Sequence, residues 1–198
     1  NAGTFEAANG GTLNVTTLTN LSGETLTGGS YLIAGTMKLP GNIKSNAAAI
    51  VLDGAGSQLL NASGTSALAG FASNTASGSF TIKNGKEFTT AGAFSNTGNM
   101  NIAAGSRFTA GSDGKAAYTQ SAGATTVNGV LTAGSLSITG GTLSGSGTID
   151  ASVISSVAVA PGMSPGMLTI NGDYTQTAEG SLLIELGGYS QGTGYDYL

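Results

Sequence analysis

The chain has 198 residues, of which 34 are glycine and 8% are charged, and its hydrophobic fraction is 39%. It contains no cysteine, histidine or tryptophan, which excludes a disulfide framework, thiolate metal sites and the common forms of a hydrolytic triad. The net charge is −4 and residues 116–198 contain acids but no base, so the composition argues against nucleic-acid binding.

Residues 1–60 predict a series of short β-strands. Apolar residues recur in close pairs separated by glycine-containing turns, which is typical of strands. Glycine or Pro-Gly interrupts nearly every window that is long enough for a helix. The composition therefore indicates an ordered, turn-dense β protein. The apolar pairs are Leu13/Val15, Leu32/Ile33, Met37/Leu39 and Ile50/Leu52.

Residues 61–77 are less regular than the segments on either side. Small and polar residues dominate this segment, and Leu68 and Phe71 are its only large apolar residues. We predict a loop or bulge at 61–77, with the regular core resuming at Phe80.

The stretch from Gly78 to Thr109 contains one pattern twice, and the second copy begins at Gly98. Each copy alternates apolar with polar residues and turns at a glycine, and a unit this short buries its apolar face only against neighbouring copies. The repeat therefore predicts a β-solenoid in which like residues stack as ladders. The predicted ladders pair Ile82 with Ile102 and Phe88 with Phe108.

The same register places the side chains of Glu87 and Arg107 one strand spacing apart on the outer surface. We therefore predict a lateral ion pair between Glu87 and Arg107, contributing about 0–1 kcal/mol if it is exposed.

After the repeat, the spacing is looser. Phe94 and Tyr118 each precede Ser or Thr, and their separation predicts coils of about 20–25 residues and about nine coils in all. Two Pro-Gly turns predict a bulkier corner at 161–166. We expect one all-β domain over 1–198, a parallel β-solenoid without helices.

Three further segments carry a resemblance to a known class of proteins. Asn20–Gly29, Gly140–Ile149 and Pro161–Tyr174 resemble the passenger regions of large bacterial repeat proteins, of the autotransporter and filamentous-haemagglutinin type. The resemblance implies a right-handed parallel β-helix that is exported to the cell surface and is often adhesive. It carries no catalytic residues. Because Asn1 is not a start residue, we interpret the chain as a piece of a longer one.

Candidate residues for chemistry are few. Enzymatic β-helices that cut acidic polysaccharides combine carboxylates with bases, but here the carboxylate-rich region has no base near it in sequence. Its acids are therefore interpreted as solvated bend residues rather than as a catalytic pair. Two segments faintly resemble calcium-binding glycine repeats but lack their tandem spacing. The acids are Asp150, Asp173, Glu179 and Glu185, and the two segments are Gly111–Gly114 and Gly192–Asp196.

These observations predict no enzyme activity, no cofactor and no metal site. The main hypothesis is a rigid structural or adhesive element of the bacterial surface or extracellular matrix, which could stack end to end into fibres. Its partner would be a second copy or a surface glycan or protein, without membrane insertion. The alternative is a glycan-binding or polysaccharide-processing β-helix that uses tyrosines as sugar platforms. These are Tyr31, Tyr118, Tyr174, Tyr189, Tyr195 and Tyr197.

Overall fold

The computed structural model describes residues 2–162 and 165–198. In these residues the chain is all-β without a helix, and its strands stack in parallel to form a β-solenoid of about eight turns. The class predicted from the repeat is confirmed. The number of turns is slightly lower than the nine expected.

The strands form three columns that run along the solenoid. Within each column, successive strands pair in parallel. The strands up to the start of the repeat are β1 Thr4–Ala7, β2 Thr12–Asn14, β3 Leu21–Ser22, β4 Thr25–Ile33, β5 Thr36–Lys38, β6 Ser45–Asp53, β7 Gln58–Leu60 and β8 Ser73–Asn74. One hairpin breaks the parallel rule, because β3 pairs antiparallel with the start of β4.

From the repeat onward, the same three columns continue. The strands are β9 Ser79–Lys83, β10 Glu87–Thr89, β11 Phe94–Asn96, β12 Asn99–Ile102, β13 Arg107–Thr109, β14 Ala117–Val127, β15 Val130–Gly145, β16 Thr148–Ser155, β17 Ala158–Pro161, β18 Thr169–Ile170, β19 Tyr174–Gln176 and β20 Ser181–Leu182. The first column contains β1, β9, β12, β17 and β20. The second column contains β2, β5, β7, β10, β13 and β18, and the third contains β8, β11 and β19. The longer strands β4, β6, β14, β15 and β16 bend around a corner and so contribute to more than one column.

The length of a coil varies along the chain. Phe88 pairs with Phe108 in a coil that contains no insertion. Ile50, however, pairs with Phe80 only after a much longer stretch, because the irregular segment 61–77 lies between them. Beyond residue 117 the coils are shorter, and they bring Leu143 into register with Val159. The predicted coil length therefore describes the middle of the solenoid and not all of it.

The stacking register places like residues above one another, in the pairs that the repeat predicts. Ile82 pairs with Ile102, Phe88 pairs with Phe108, and Phe80 pairs with Met100. All six side chains point inward, and at most 9% of any of them is exposed. Since successive strand residues point to opposite faces, the intervening residues form the outer surface.

Aromatic residues fill the middle of the interior. Phe71 lies at the centre of the group, with its ring centroid 4.8 Å from that of Phe80, 5.9 Å from that of Phe88 and 5.1 Å from that of Phe94. These distances are typical of favourable tilted and edge-on ring contacts. Phe71 belongs to the segment predicted as a loop or bulge at 61–77, so that segment is only partly outside the stack. Strand β8, Ser73–Asn74, also lies within this segment and belongs to the third column.

A row of buried amides crosses the interior beside the aromatic group. The Asn46 side-chain amide donates to Asn74 Oδ1 at 2.9 Å, and Asn74 donates to Asn96 Oδ1 at 2.9 Å. Asn96 in turn donates to Gln120 Oε1 at 3.4 Å. We call these four residues the amide ladder. All four are at most 1% exposed, and each also bonds to backbone groups or to Thr125. The burial of these polar groups is therefore compensated.

The corner that follows the amide ladder has no room for a side chain. Gly98 lies directly over the previous corner, and a Cβ at this position would overlap the carbonyl oxygens of Gly78 and Thr75. The same backbone is held by the hydrogen bond from Asn99 N to Gly78 O, 2.9 Å. Close approach of consecutive coils thus requires glycine here.

The predicted Pro-Gly corner at 161–166 is described only in part, because Met163 and Ser164 lie outside the described residues. Pro161 is the last residue of β17, and Gly162 forms an isolated bridge with Gly145. Gly166 N donates to the buried carboxylate of Asp196 at 2.8 Å.

Replacing Asn74 by Ala interrupts the amide ladder at its centre. We expect Asn74→Ala to lower the free energy of unfolding by about 2–3 kcal/mol, since Asn46 and Asn96 each lose a buried partner. The matched control is Asn101→Ala, because Asn101 is exposed on the outer surface of β12 and should change stability by less than about 0.5 kcal/mol. Urea denaturation measures both values. Equal losses in the two variants would contradict the role assigned to the ladder.

A pair of glycine variants tests the close approach of the coils. Gly98→Ala should destabilise the fold by more than about 2 kcal/mol, because the backbone carbonyl oxygens of Gly78 and Thr75 would have to move to make room. Gly92→Ala is the control, since a Cβ there meets nothing within 4 Å and its expected effect is within about 1 kcal/mol of zero. Thermal unfolding followed by circular dichroism distinguishes the two. A Gly98→Ala variant as stable as Gly92→Ala would contradict the stacking geometry.

Candidate functional site

The predicted ion pair between Glu87 and Arg107 is not formed in the described part of the chain. The two residues are adjacent in register, as expected, but the Arg107 guanidinium extends in the opposite direction along the solenoid. Its Nη1 donates to Thr132 Oγ1 at 2.9 Å and lies 3.5 Å from Asp150 Oδ2. Register determines which backbones are neighbours, whereas a long exposed side chain can reach toward the coil before it or the coil after it. Arg107 reaches toward the later coils, where the Thr132 hydroxyl and the Asp150 carboxylate lie together.

The acids considered as a catalytic group are not brought together. Asp150 interacts with Arg107 and also accepts a hydrogen bond from Asn171 Nδ2 at 2.8 Å. Asp173, Glu179 and Glu185 are exposed on bends or in the last coil. In residues 2–162 and 165–198, no group of three or more carboxylates is arranged to hold a metal ion.

The two segments that resemble calcium loops use their carboxylates to hold the backbone. Asp113 Oδ1 accepts a hydrogen bond from Lys115 N at 3.0 Å, which closes a local turn. Asp196 is 4% exposed and accepts hydrogen bonds from Gly166 N and from Glu185 N at 2.9 Å.

The tyrosines proposed as sugar platforms divide into two groups. Tyr31 and Tyr118 are fully buried in the interior, and the Tyr118 hydroxyl lies 2.7 Å from Thr125 Oγ1. Burial raises the pKa of Tyr118. Tyr174 and Tyr195 are partly buried, whereas Tyr189 and Tyr197 are exposed in the last coil. Buried rings cannot stack on a sugar, so the tyrosines do not form a continuous platform.

A surface concavity lies at one corner near the start of the solenoid, and the sequence did not predict a site among the residues that line it. It has a volume of about 630 Å³. We call it the Gly35 groove. Its walls are turns of successive coils, and a tight turn at Gly35 lies between longer turns on either side. The lining residues are Asn9, Gly10, Gly11, Ala34, Gly35, Thr36, Asp53, Gly54, Ala55, Gly56 and Asn84.

The depth of the Gly35 groove follows from the length of its turns. Gly35 is buried beneath the preceding turn, and a Cβ on it would overlap the carbonyl oxygens of Ala8 and Gly11. The turns that contain Gly10 and Gly54 are longer and extend further outward, and these two glycines have positive φ values of 74° and 91°. The coil with the short turn is therefore recessed between two coils with longer turns.

The polar groups of the Gly35 groove centre on one carboxylate. Asp53 Oδ1 accepts a hydrogen bond from Asn84 Nδ2 at 2.6 Å, and Asp53 Oδ2 forms an ion pair with Lys83 Nζ at 3.1 Å. The Asn84 hydrogen bond, followed by the interaction with Lys83, lowers the pKa of Asp53. An ionised carboxylate accepts hydrogen bonds from a polyhydroxylated ligand, and the neighbouring amide and hydroxyl groups can donate hydrogen bonds to it.

One feature of the sequence, the difference in turn length between neighbouring coils, indicates the Gly35 groove. Gly35 follows its strand almost immediately, whereas Gly54, Ala55 and Gly56 form a longer turn at the equivalent corner of the next coil. Turn lengths become comparable only when the register is known, and the clear repeat begins later, at Gly78.

The architecture defines the chain as a β-solenoid repeat protein. No protein-family model matches the chain, and comparisons with curated proteins and with solved structures also give no match. The class therefore follows from the stacking of the strands alone. Within the described ranges, no helix is present that has the length and apolarity to cross a membrane.

The causes of the Asp53 shift can be separated by substitution. Asn84 has a φ of 55°, so Asn84→Gly removes the amide without straining the turn, and it should raise the pKa of Asp53 towards its ordinary value. Lys83→Met should also raise this pKa, because Lys83 lowers it both through a hydrogen bond and through its charge. Carboxyl-carbon NMR titration of Asp53 measures both changes.

The lowered pKa of Asp53 also makes the stability of the fold depend on pH. A pKa that is lower in the folded state contributes stability above the ordinary pKa, and this contribution is lost as the pH falls through the folded-state value. Asn84→Gly and Lys83→Met should therefore each weaken the acid dependence of unfolding relative to the wild-type chain. An acid dependence that is unchanged in both variants would contradict the assignment of Asn84 and Lys83 as the causes of the lowered pKa.

Proposed function

We propose that the chain is a non-enzymatic structural and adhesive element of an exported bacterial protein, located at the cell surface or in the extracellular matrix. The observation that carries this proposal is the outer surface of the first column, where the stack aligns uncharged polar residues into a row. Thr81, Asn101, Thr126 and Ser144 pair in register across four coils. We call these four residues the outer polar row.

The outer polar row suits contact with a repetitive partner. Its members recur at the inter-strand spacing of about 4.8 Å, and Thr126 Oγ1 lies 3.4 Å from Ser144 Oγ. Hydroxyl and amide groups both donate and accept hydrogen bonds, which suits glycans and polar protein surfaces. The row contains no charge, so it would not repel a surface of either sign.

Stiffness is the second requirement of such an element, and the interior supports it. Backbone pairing, aromatic packing and the amide ladder all link one coil to the next. In a solenoid these nearest-neighbour contacts are the main source of stability. A rod of this kind would hold the outer polar row in a fixed arrangement.

End-to-end assembly into fibres is part of this proposal. In the described chain, strands β18, β19 and β20 each pair with one earlier strand only, and Leu182, Leu183, Ile184 and Leu186 are exposed nearby. Unpaired strand edges and exposed apolar side chains favour association with a second copy. Electron micrographs of concentrated protein would show filaments, whereas a strictly monomeric species at high concentration would contradict this part.

Adhesion is tested with latex beads that carry the purified chain. We expect coated beads to be retained on printed glycans or matrix proteins more strongly than albumin-coated beads. The double variant Asn101→Lys/Thr126→Lys should abolish most of this retention, because two charges interrupt the outer polar row.

The matched control for this experiment is Thr119→Lys/Ser137→Lys. Thr119 and Ser137 are also paired, outward-facing neighbours, but they belong to the third column. The control adds the same charge at the same spacing. Equal retention of the two variants, or wild-type retention no better than albumin, would contradict adhesion through the outer polar row.

Glycan binding in the Gly35 groove is a second candidate, favoured by the ionised Asp53 and its neighbouring amides. Asp53→Asn should remove signals on a glycan array, while Asp113→Asn, an acid outside the groove, should leave them unchanged. For polysaccharide processing, new reducing ends would have to appear when the chain is incubated with acidic polysaccharides. Failure of both assays would eliminate this candidate and leave the adhesive role untouched.

A further inference from the structure

The second column is interrupted at one point. Strand β6 pairs with β8 and β9 in the other two columns, but among the described residues no pairing joins β7 (Gln58–Leu60) to β10 (Glu87–Thr89). Residues 61–66 instead turn back beside β7, where Leu60 and Ser66 form an antiparallel bridge. Ala67 N donates to Leu59 O at 2.9 Å. Strand β10 therefore has no covering strand on this side within the described chain.

One edge of β10 is therefore free. On the other edge, Arg107 N donates to Lys86 O at 3.0 Å and Thr90 N donates to Thr109 O at 3.0 Å. Because alternate residues of a strand direct their backbone groups to opposite sides, the N–H and C=O groups of Glu87 and Thr89 face the gap. No neighbour in the described chain pairs with them there. Free strand edges of this kind accept an added strand.

The gap forms a groove of about 270 Å³, which we call the β10 groove. Its floor contains the apolar side chains of Leu52, Leu59, Leu68 and Phe88, all at least nine-tenths buried. Apolar side chains at this depth match the inward-facing residue of a strand, whereas a sugar would bring hydroxyl groups against them.

One charged group marks one end of the β10 groove. Lys86 Nζ donates to Ser57 O at 2.6 Å, and in the described chain no carboxylate lies within ion-pair distance of it. Partial burial lowers the pKa of Lys86. A half-buried ammonium without a counter-charge favours an acidic group in whatever fills the groove.

We propose that the β10 groove binds an extended peptide segment, which adds as a parallel strand to the free edge at Glu87–Thr89. The peptide places an apolar side chain beside Phe88 and an acidic side chain, two residues earlier, beside Lys86. Both positions follow from strand alternation, because residues two apart point to the same face. This inference does not depend on the adhesive role proposed above.

The probe is the N-acetylated, C-amidated hexapeptide Ser-Asp-Thr-Val-Thr-Ser, titrated into the ¹⁵N-labelled chain. We expect saturable amide shifts at Leu59, Glu87 and Thr89. Hydrogen exchange should show the Glu87 and Thr89 amides exchanging faster than that of Thr90 in the free protein and slowing when peptide is added. Shifts confined to other regions, or none at millimolar peptide, would overturn the proposal.

Two substitutions at one position test strand addition itself. Thr89→Pro removes the edge N–H that faces the gap, whereas Thr89→Val changes the exposed side chain and keeps that donor. Peptide binding should be lost in the first variant and retained in the second. Equal peptide binding by the two variants would overturn strand addition. If the proline variant does not fold, slower exchange of the Glu87 and Thr89 amides of the wild-type protein in the presence of peptide provides the same test.

Recognition of the acidic side chain is tested with a second peptide, Ser-Asn-Thr-Val-Thr-Ser. Wild-type protein should bind the Asp peptide about fivefold more tightly than the Asn peptide, a ratio typical of a partly exposed ion pair. Lys86→Met should abolish this preference. Lys83→Met is the matched control, because Lys83 is paired with Asp53, and it should leave the preference intact. A preference that survives Lys86→Met would overturn the assignment of Lys86.

Discussion

Parallel backbone hydrogen bonding between consecutive coils is the constraint on which the rest of the structure depends. Once one residue pairs with its equivalent in the next coil, its neighbours are fixed as inward or outward, because strand residues alternate between faces. Phe88 over Phe108 and Ile82 over Ile102 are consequences of this pairing. The interior and the outer polar row are therefore two results of one register, and a change of register by one residue would exchange them.

The same constraint explains how the interior tolerates polar groups. An isolated buried amide would lack partners, but a stacked amide meets another amide at each strand spacing and can donate to one neighbour while accepting from the other. Asn74 does both, between Asn46 and Asn96. The row extends only as far as Gln120, which donates instead to the carbonyl of Gly140 at 2.9 Å. In the next coil, the equivalent position is Ile138.

Sequence reasoning succeeded where two copies could be compared directly. The pattern at 78–109 repeats without insertion, so the register of β9 with β12 and of β10 with β13 followed from alignment of the copies. Coil lengths outside residues 78–109 could not be predicted. Insertions and short corners change the coil length there, and no second copy of these segments could be aligned to reveal the register. The long coil between Ile50 and Phe80 illustrates this limit.

The surface features were less accessible for a different physical reason. The Gly35 groove and the β10 groove are made by differences between coils, namely a shorter turn in one case and an absent strand pairing in the other. A repeat pattern describes what the coils share and does not indicate such differences. Side-chain direction has the same limitation, since adjacency of Glu87 and Arg107 did not determine that Arg107 would reach Asp150.

The limited extent of the amide ladder divides the rod into parts of unequal resistance to pulling. From Gln120 back to Asn46, neighbouring coils are joined by side-chain hydrogen bonds as well as by backbone pairing. At the equivalent positions beyond Gln120, the side chains are Ile138 and Ser155, which form no such bond with each other in the described chain. Force applied at the C-terminal end would therefore detach the coils after Gln120 one at a time. Unfolding would stop at the segment that is joined by the amide ladder.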